Sequence, residues 1–166
     1  MLDRLAPPSQ WTRTYIKVKG RWTYLYRAVD QRGLTVDFLL SEQRDVAAIK
    51  QFFTQAIKQH GLPEKVTVDG YPATHTAISE LKAKNVLPQS TKVRTSKYLN
   101  NLIEQDQRKV KQRISSMLGF KRFQNAAITI SGIELLHKIR KGQFDTSKVV
   151  QSGVRAPQLW AAVLSA

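Results

Sequence analysis

The spacing of hydrophobic residues changes repeatedly along this chain, and each change marks an element. Thr14 to Val18 (TYIKV) is β-branched and aromatic, Lys19 and Gly20 supply a turn, and Trp22 to Val29 (WTYLYRAV) follows as a second strand. Asp30 to Gly33 gives another turn. Leu34, Val36, Phe38 and Leu40 then alternate with Thr35, Asp37 and Leu39, the period-two pattern of a third strand with one buried face. From Asp45 the period becomes helical: Val46, Ile49, Phe52, Phe53 and Ile57 share a face, with Asp45 placed to cap the start and Gly61 to end it. Lys65 to Val68 (KVTV) predicts a short strand, Ala77, Ile78 and Leu81 a helix from about Ala73 to Asn85, and Thr91 to Thr95 (TKVRT) a fifth strand. Helices from about Leu99 through Leu118 and from Ala126 to Lys141, the latter ended by Gly142, complete the pattern.

An antiparallel meander followed by helical crossovers that return later strands parallel in the same sheet is the ribonuclease H-like (integrase core) order. The expected fold is α/β, a mixed five-stranded sheet with flanking helices. Residues 1–10 contain the adjacent Pro7 and Pro8 and no periodicity, so they read as an irregular lead-in. Residues 11–142 read as the folded core and 143–166 as a C-terminal tail, in which Pro157 to Leu164 is expected to form a short helix.

The chain has 166 residues, 42% hydrophobic and 8% aromatic, enough for one domain with a real core and too apolar for a disordered chain. Its 27 Lys and Arg against 12 Asp and Glu leave a net charge of +15, which points to a polyanion partner, nucleic acid above all. A membrane-surface protein would gather such charge on an amphipathic helix, whereas basic residues recur here from Arg4 to Arg155. A solvated basic surface without a dedicated partner is the plain alternative. There is no cysteine, and His60, His75 and His137 are too scattered to suggest zinc, so any bound metal is held by oxygen. No apolar run approaches the ~20 residues of a membrane span, and the start, MLDRLAPPSQW, lacks the apolar stretch of a signal peptide. A cytoplasmic location is expected.

Asp69 ends the KVTV strand and precedes Gly70, Tyr71 and Pro72, so its carboxylate is offered at the carboxyl edge of the sheet, where open α/β sheets place ligands. A turn- or helix-capping role is the competing reading. In the run SKYLNNLIEQD, Glu104 lies on one helix face with Arg108 and Lys111. Either Glu104 and Arg108 form an exposed salt bridge, or the carboxylate holds a divalent metal while the two cations grip DNA phosphates.

The stretches TYIKVKGRWTYLYRAVD, VDFLLSEQRD, VTVDG, SKYLNNLIEQD, GFKRF and HKIRKGQ resemble, in order and spacing, the transposases of compact single-gene bacterial insertion sequences of the DDE type, which move by cointegrate formation. The likeness runs from Trp11 to Gln143. In that family the second acid of the Asp, Asp, Glu triad precedes the Glu by the separation seen here between Asp69 and Glu104, which have 34 residues between them. The resemblance implies DNA transposition by metal-dependent strand cleavage and transfer, with two Mg²⁺ (or Mn²⁺) ions ~4 Å apart. It implies that Asp69 and Glu104 are catalytic metal ligands and that Lys111 contacts the donor-end DNA. Arg108 is assigned to DNA from its place on the same face, and Lys97, Tyr98, Asn100 and Asn101 match the motif in a supporting or DNA-contacting role.

The chain departs from the family where the first triad Asp belongs. The family segment reads approximately Trp-x-x-Asp-Glu-Thr-Tyr, and here Thr12 and Arg13 stand at the Asp and Glu positions. A hydroxyl does not replace the charge, and an arginine beside the site repels Mg²⁺. Asp3 lies in the lead-in, while Asp30 in a turn and Asp37 mid-strand read as surface residues, so none is a convincing substitute. Gln107 stands where the family commonly has His after Glu-x-Asp, and nothing before Trp11 can form the helix-turn-helix that recognises element ends. The expectation is a truncated transposase core, inactive by itself and associated with DNA at the nucleoid. The alternatives are a non-catalytic basic DNA-binding remnant, an inhibitor that joins full-length transposase, or a gene remnant with no selected role; a homo-oligomer or association with full-length transposase is the expected protein partnership.

Overall fold

A computed structural model describes residues 8–96, 101–115, 117 and 119–144, with the backbone alone at 101–104. The elements are β1 (Gln10–Val18), β2 (Arg21–Val29), β3 (Thr35–Ser41), α1 (Val46–His60), β4 (Lys65–Val68), α2 (Pro72–Ala83), β5 (Lys92–Thr95), α3 (Asn101–Ser115) and α4 (Phe123–Arg140). The five strands form one sheet in the order β3-β2-β1-β4-β5, with β1, β2 and β3 antiparallel and β1, β4 and β5 parallel. This is the ribonuclease H-like arrangement that the element order predicts.

Local chemistry explains the boundaries. Lys19 and Gly20, both at positive φ, make the tight turn that the β1–β2 hairpin needs. The Asp45 carboxylate accepts from the Ala48 amide at 2.8 Å and caps α1, and Gly61 ends it at φ 92°, in the region only glycine enters freely. The helix buries Ala48, Ile49, Phe52, Phe53, Ala56 and Ile57. Phe53 stacks on Trp11 at 3.7 Å and Phe52 meets it edge-on, so α1 and α2 cover one face of the sheet. On the other face Ile16, Val18 and Leu25 pack with Val110 and Ile114 of α3 and with Ala126, Ile130 and Ile133 of α4.

Several expectations are corrected. The lead-in is not irregular to its end: Ser9 donates to Val29 and accepts from Thr67, and Gln10 belongs to β1. The alternation in β3 breaks at a β-bulge, because Val29 pairs with Thr35 and Ala28 with Asp37, leaving Val36 as the extra residue. Val36 therefore packs beneath α1 while Phe38 and Leu40 pack on the opposite core. Asp30 and Asp37 are buried rather than surface residues. Asp30 accepts from the Arg32 and Leu34 amides to shape the turn, and Asp37 accepts from Gln55 of α1. Gln143, placed at the start of the tail, is also buried, its amide bonded to both main-chain groups of Thr35. The tail helix proposed at 157–164 lies outside the described residues.

One ionic cluster ties α3 and α4 to the sheet. Arg27 of β2, with a side chain 1% exposed, donates through Nε and Nη2 to both oxygens of Glu134 at 2.6 and 3.0 Å, and through Nη2 to Asp106 at 2.7 Å. Lys141 lies 2.9 Å and His137 3.4 Å from the other Asp106 oxygen. Burial alone would raise the Asp106 carboxyl, but His137, Arg27 and Lys141 outweigh it and hold the group well below the usual carboxylate range. Arg27→Met strands two buried carboxylates and is expected to cost roughly 3–5 kcal/mol in urea denaturation. The lowered folded value means that Asp106 stabilises the fold above the unfolded carboxyl range, about 4. That contribution is lost as pH falls through the folded value, so Asp106→Asn should flatten the acid side of the stability curve.

Candidate functional site

Strand β1 lies beside β4 with Gln10 opposite Thr67, so continuing the register brings Thr12 level with Asp69 at the carboxyl edge of the sheet. Asp69 follows the last residue of β4. Its Oδ1 accepts from Thr74 Oγ1 at 3.2 Å and the Tyr71 amide at 3.4 Å, which shapes the turn into α2. Its Oδ2 lies 3.5 Å from Arg13 Nη2. Both readings of Asp69 are therefore present in one residue, a turn cap and a charged group at the sheet edge.

Arg13 is held from several sides. Its guanidinium lies over the Tyr71 ring at 4.0 Å and near Tyr15 at 5.6 Å, and its side chain is only 10% exposed against 33% for Asp69. Arg44 lies over the same Tyr71 ring at 4.2 Å, and the Tyr71 hydroxyl donates to the Arg44 carbonyl. Tyr26, beneath Arg13, has its phenol pushed up to about 12 by burial, which Arg13 partly opposes. The space enclosed by Trp11, Thr12, Arg13, Tyr26, Phe52, Asp69 and Thr74 is about 20 Å³, room for one water-sized group at most.

Thr12 points to the face that α3 packs on, the side opposite Arg13, because successive side chains of β1 alternate. Thr12 is 4% exposed, and its Oγ1 has no hydrogen-bond partner among the described residues. Glu104 is in α3 with its side chain outside the described residues, as is that of Asn101, and Lys97, Tyr98 and Asn100 lie outside them altogether. Arg108 and Lys111 are exposed on α3, and Lys111 lines a cleft of about 260 Å³ with Thr14, Tyr15, Ile16 and Lys17. Gln107 is partly buried, and its Nε2 has no partner among the described residues.

Among the described residues no group of three or more His, Asp or Glu is placed to hold a metal. Arg13 sets a cation 3.5 Å from Asp69 Oδ2, and its charge opposes a divalent ion at that carboxylate. Sequence reading found Asp69 and Arg13 but missed Thr74 and the Arg13–Tyr71–Arg44 stack; the TVDGYPAT run, with hydroxyls and an aromatic just after the Asp, carried that signal.

The sequence matches a family described as DDE domain (DDE_Tnp_IS240) over residues 10–143. It is 43% identical over 129 residues to a transposase for insertion sequence-like element IS431mec of Staphylococcus aureus (strain N315), covering 77% of this chain and 55% of the relative. The transposase for insertion sequence element IS257 in transposon Tn4003 of Staphylococcus aureus matches to the same extent, 43% over 129 residues. The chain spans about half the length of these curated relatives. Among solved structures, the HTLV-2 integrase catalytic core domain in complex with magnesium superposes with a TM-score of 0.51 at 21% identity, covering 70% of this chain and 75% of that one. The BIV integrase catalytic core domain gives 0.51 at 16% identity, covering 74% and 80%. Both share the fold.

Thr12→Val removes a buried hydroxyl without a partner and keeps its shape. It is expected to leave stability unchanged or raise it by about 1 kcal/mol in urea denaturation. A loss of that size would mean that Oγ1 is bonded and that the β1 edge is built differently.

Proposed function

We propose that this chain, which belongs to the DDE-domain family of insertion-sequence transposases, holds DNA as a transposase core does but lacks the first carboxylate needed to cut and join it. The observation that carries this reading is the Arg13–Asp69 ion pair at the carboxyl edge of the sheet, with Thr12 beside it in the place of the first triad Asp. Asp69 and Glu104 remain as the two acids of the triad. Divalent metal is the cofactor that the family implies, and the native set of residues binds it poorly for the electrostatic reason given above.

The DNA-holding part of the reading rests on charge. A net charge of +15, with Arg108 and Lys111 exposed on the face of α3 that also carries Glu104, suits a phosphate backbone. Lys97, Tyr98 and Asn100, just before that helix in sequence, and Asn101, its first residue, join the same surface by their match to the family motif. Transposon ends and target DNA are the ligands, a second copy or a full-length transposase the protein partner, and the bacterial cytoplasm at the nucleoid the location. No described helix is long and apolar enough to cross a membrane.

Calorimetric titration of Mn²⁺ into the native chain and into a Thr12→Asp, Arg13→Glu variant tests the metal part. Tight binding is expected from the variant alone, and tight binding of a pair of ions by the native chain would overturn the reading. Titrating DNA affinity against salt tests the rest: phosphate-driven binding weakens steeply between about 50 and 200 mM. A flat response would refute it. Co-expression with an intact transposase should depress transposition if the two associate, and an unchanged frequency excludes that partner.

A further inference from the structure

The β1–β2 hairpin carries an open face that the Asp69 edge does not explain. Alternation sends Arg13, Tyr15 and Lys17 to the same side of β1, and the register sets them opposite Tyr26, Tyr24 and Trp22 of β2. Cations and rings therefore alternate across the two strands. At the Arg13 end this face is roofed by α1, whose Phe52 and Phe53 lie on Trp11 and Tyr26. Further along it opens: Tyr15 is 43% and Trp22 56% exposed.

The rings keep a fixed geometry. Tyr15 meets Trp22 at 6.2 Å and Tyr24 at 5.6 Å, both edge-to-face, so none of these ring pairs is stacked face on face. Lys17 Nζ lies 5.3 Å from the Trp22 ring and the Arg44 guanidinium 5.9 Å from that of Tyr15.

We propose that this face is a stacking platform for unpaired nucleotides, a single-stranded nucleic acid whose bases lie on Tyr15 and Trp22 and whose phosphates meet Lys17, Arg44 and, at the turn, Lys19. Base faces are open only in unpaired nucleotides, since a duplex presents base edges and phosphates. Exposed rings interleaved with cations answer both halves of a single strand, the π-faces and the charge. An apolar protein partner would bury the same rings but leave those cations to be desolvated without partners. The open part of the platform lies between the hairpin turn and Tyr15, at the other end of β1 from the buried Arg13–Asp69 pair.

This inference rests on the nucleic-acid reading above and names the form of the ligand. Fluorescence anisotropy with a labelled oligothymidylate, and with a duplex of equal length, separates the two. The native chain is expected to bind both and the Tyr15→Ala, Trp22→Ala double variant to lose roughly tenfold or more in single-strand affinity while holding the duplex. Trp22→Phe, which keeps a ring, should retain single-strand binding. Should the alanine variant not fold, Tyr15→Leu with Trp22→Leu keeps apolar bulk at both positions and carries the same comparison. Equal oligothymidylate affinity in native chain and double variant overturns the platform and leaves phosphate-driven binding standing, as does an equal loss for both nucleic acids. Failure of the native chain to bind either one overturns both readings.

Discussion

A guanidinium buried in a sheet must be matched, and Arg27 governs this fold for that reason. Its side chain is 1% exposed at the centre of β2, and an unpaired charge there would cost several kcal/mol. Glu134 of α4 and Asp106 of α3 answer it from two helices at once. Because Asp106 must point inward, so must Val110 and Ile114 one and two turns later, and they do. Arg108 and Lys111 are then turned outward. The ion pair in the core thus decides which face of α3 is turned to solvent.

The two substituted positions act on opposite sides of the sheet. Alternation turns Thr12 with Thr14 and Ile16 towards α3 and α4, and Arg13 with Trp11 and Tyr15 towards α1 and α2. Thr12 sets a neutral hydroxyl on the side on which α3 packs, while Arg13 sets a cation against Asp69. Neither touches Arg27, Glu134 or Asp106, so the scaffold and the chemistry at its edge are separable.

What was legible in the sequence was whatever a local rule could state. The helical face of α1 with Asp45 and Gly61 at its ends, the positive-φ turn at Lys19 and Gly20, and the strand that ends at Asp69 all follow from short-range periodicity and capping. The bulge at Val36 was not legible, because β3 reads as a clean alternation until its pairing with β2 is known. Nor was the polar core. Arg27 and Glu134 are 107 residues apart, and single charges in amphipathic elements are ordinarily solvated. The GFKRF and HKIRKGQ stretches, noticed only as likeness, turn out to supply Phe120 and Phe123 to the α3–α4 core and His137, Lys141 and Gln143 to the ionic cluster or its surroundings. At the site, Asp69 was legible by its place after a strand, while its partner Thr74 needed the turn geometry.

A cluster of carboxylates without its metal is a store of like-charge repulsion, and active sites are where a fold carries such strain. At this edge the described charges are opposite rather than alike: Arg13 lies 3.5 Å from Asp69, and Thr12 beside them is neutral. The pair matches its charges, while the buried Thr12 Oγ1 and the Arg13 Nε and Nη1 have no partner among the described residues. The integrase-like fold is held by residues away from that edge, Arg27 with Asp106 and Glu134, so the packing of the core does not depend on which charges stand beside Asp69.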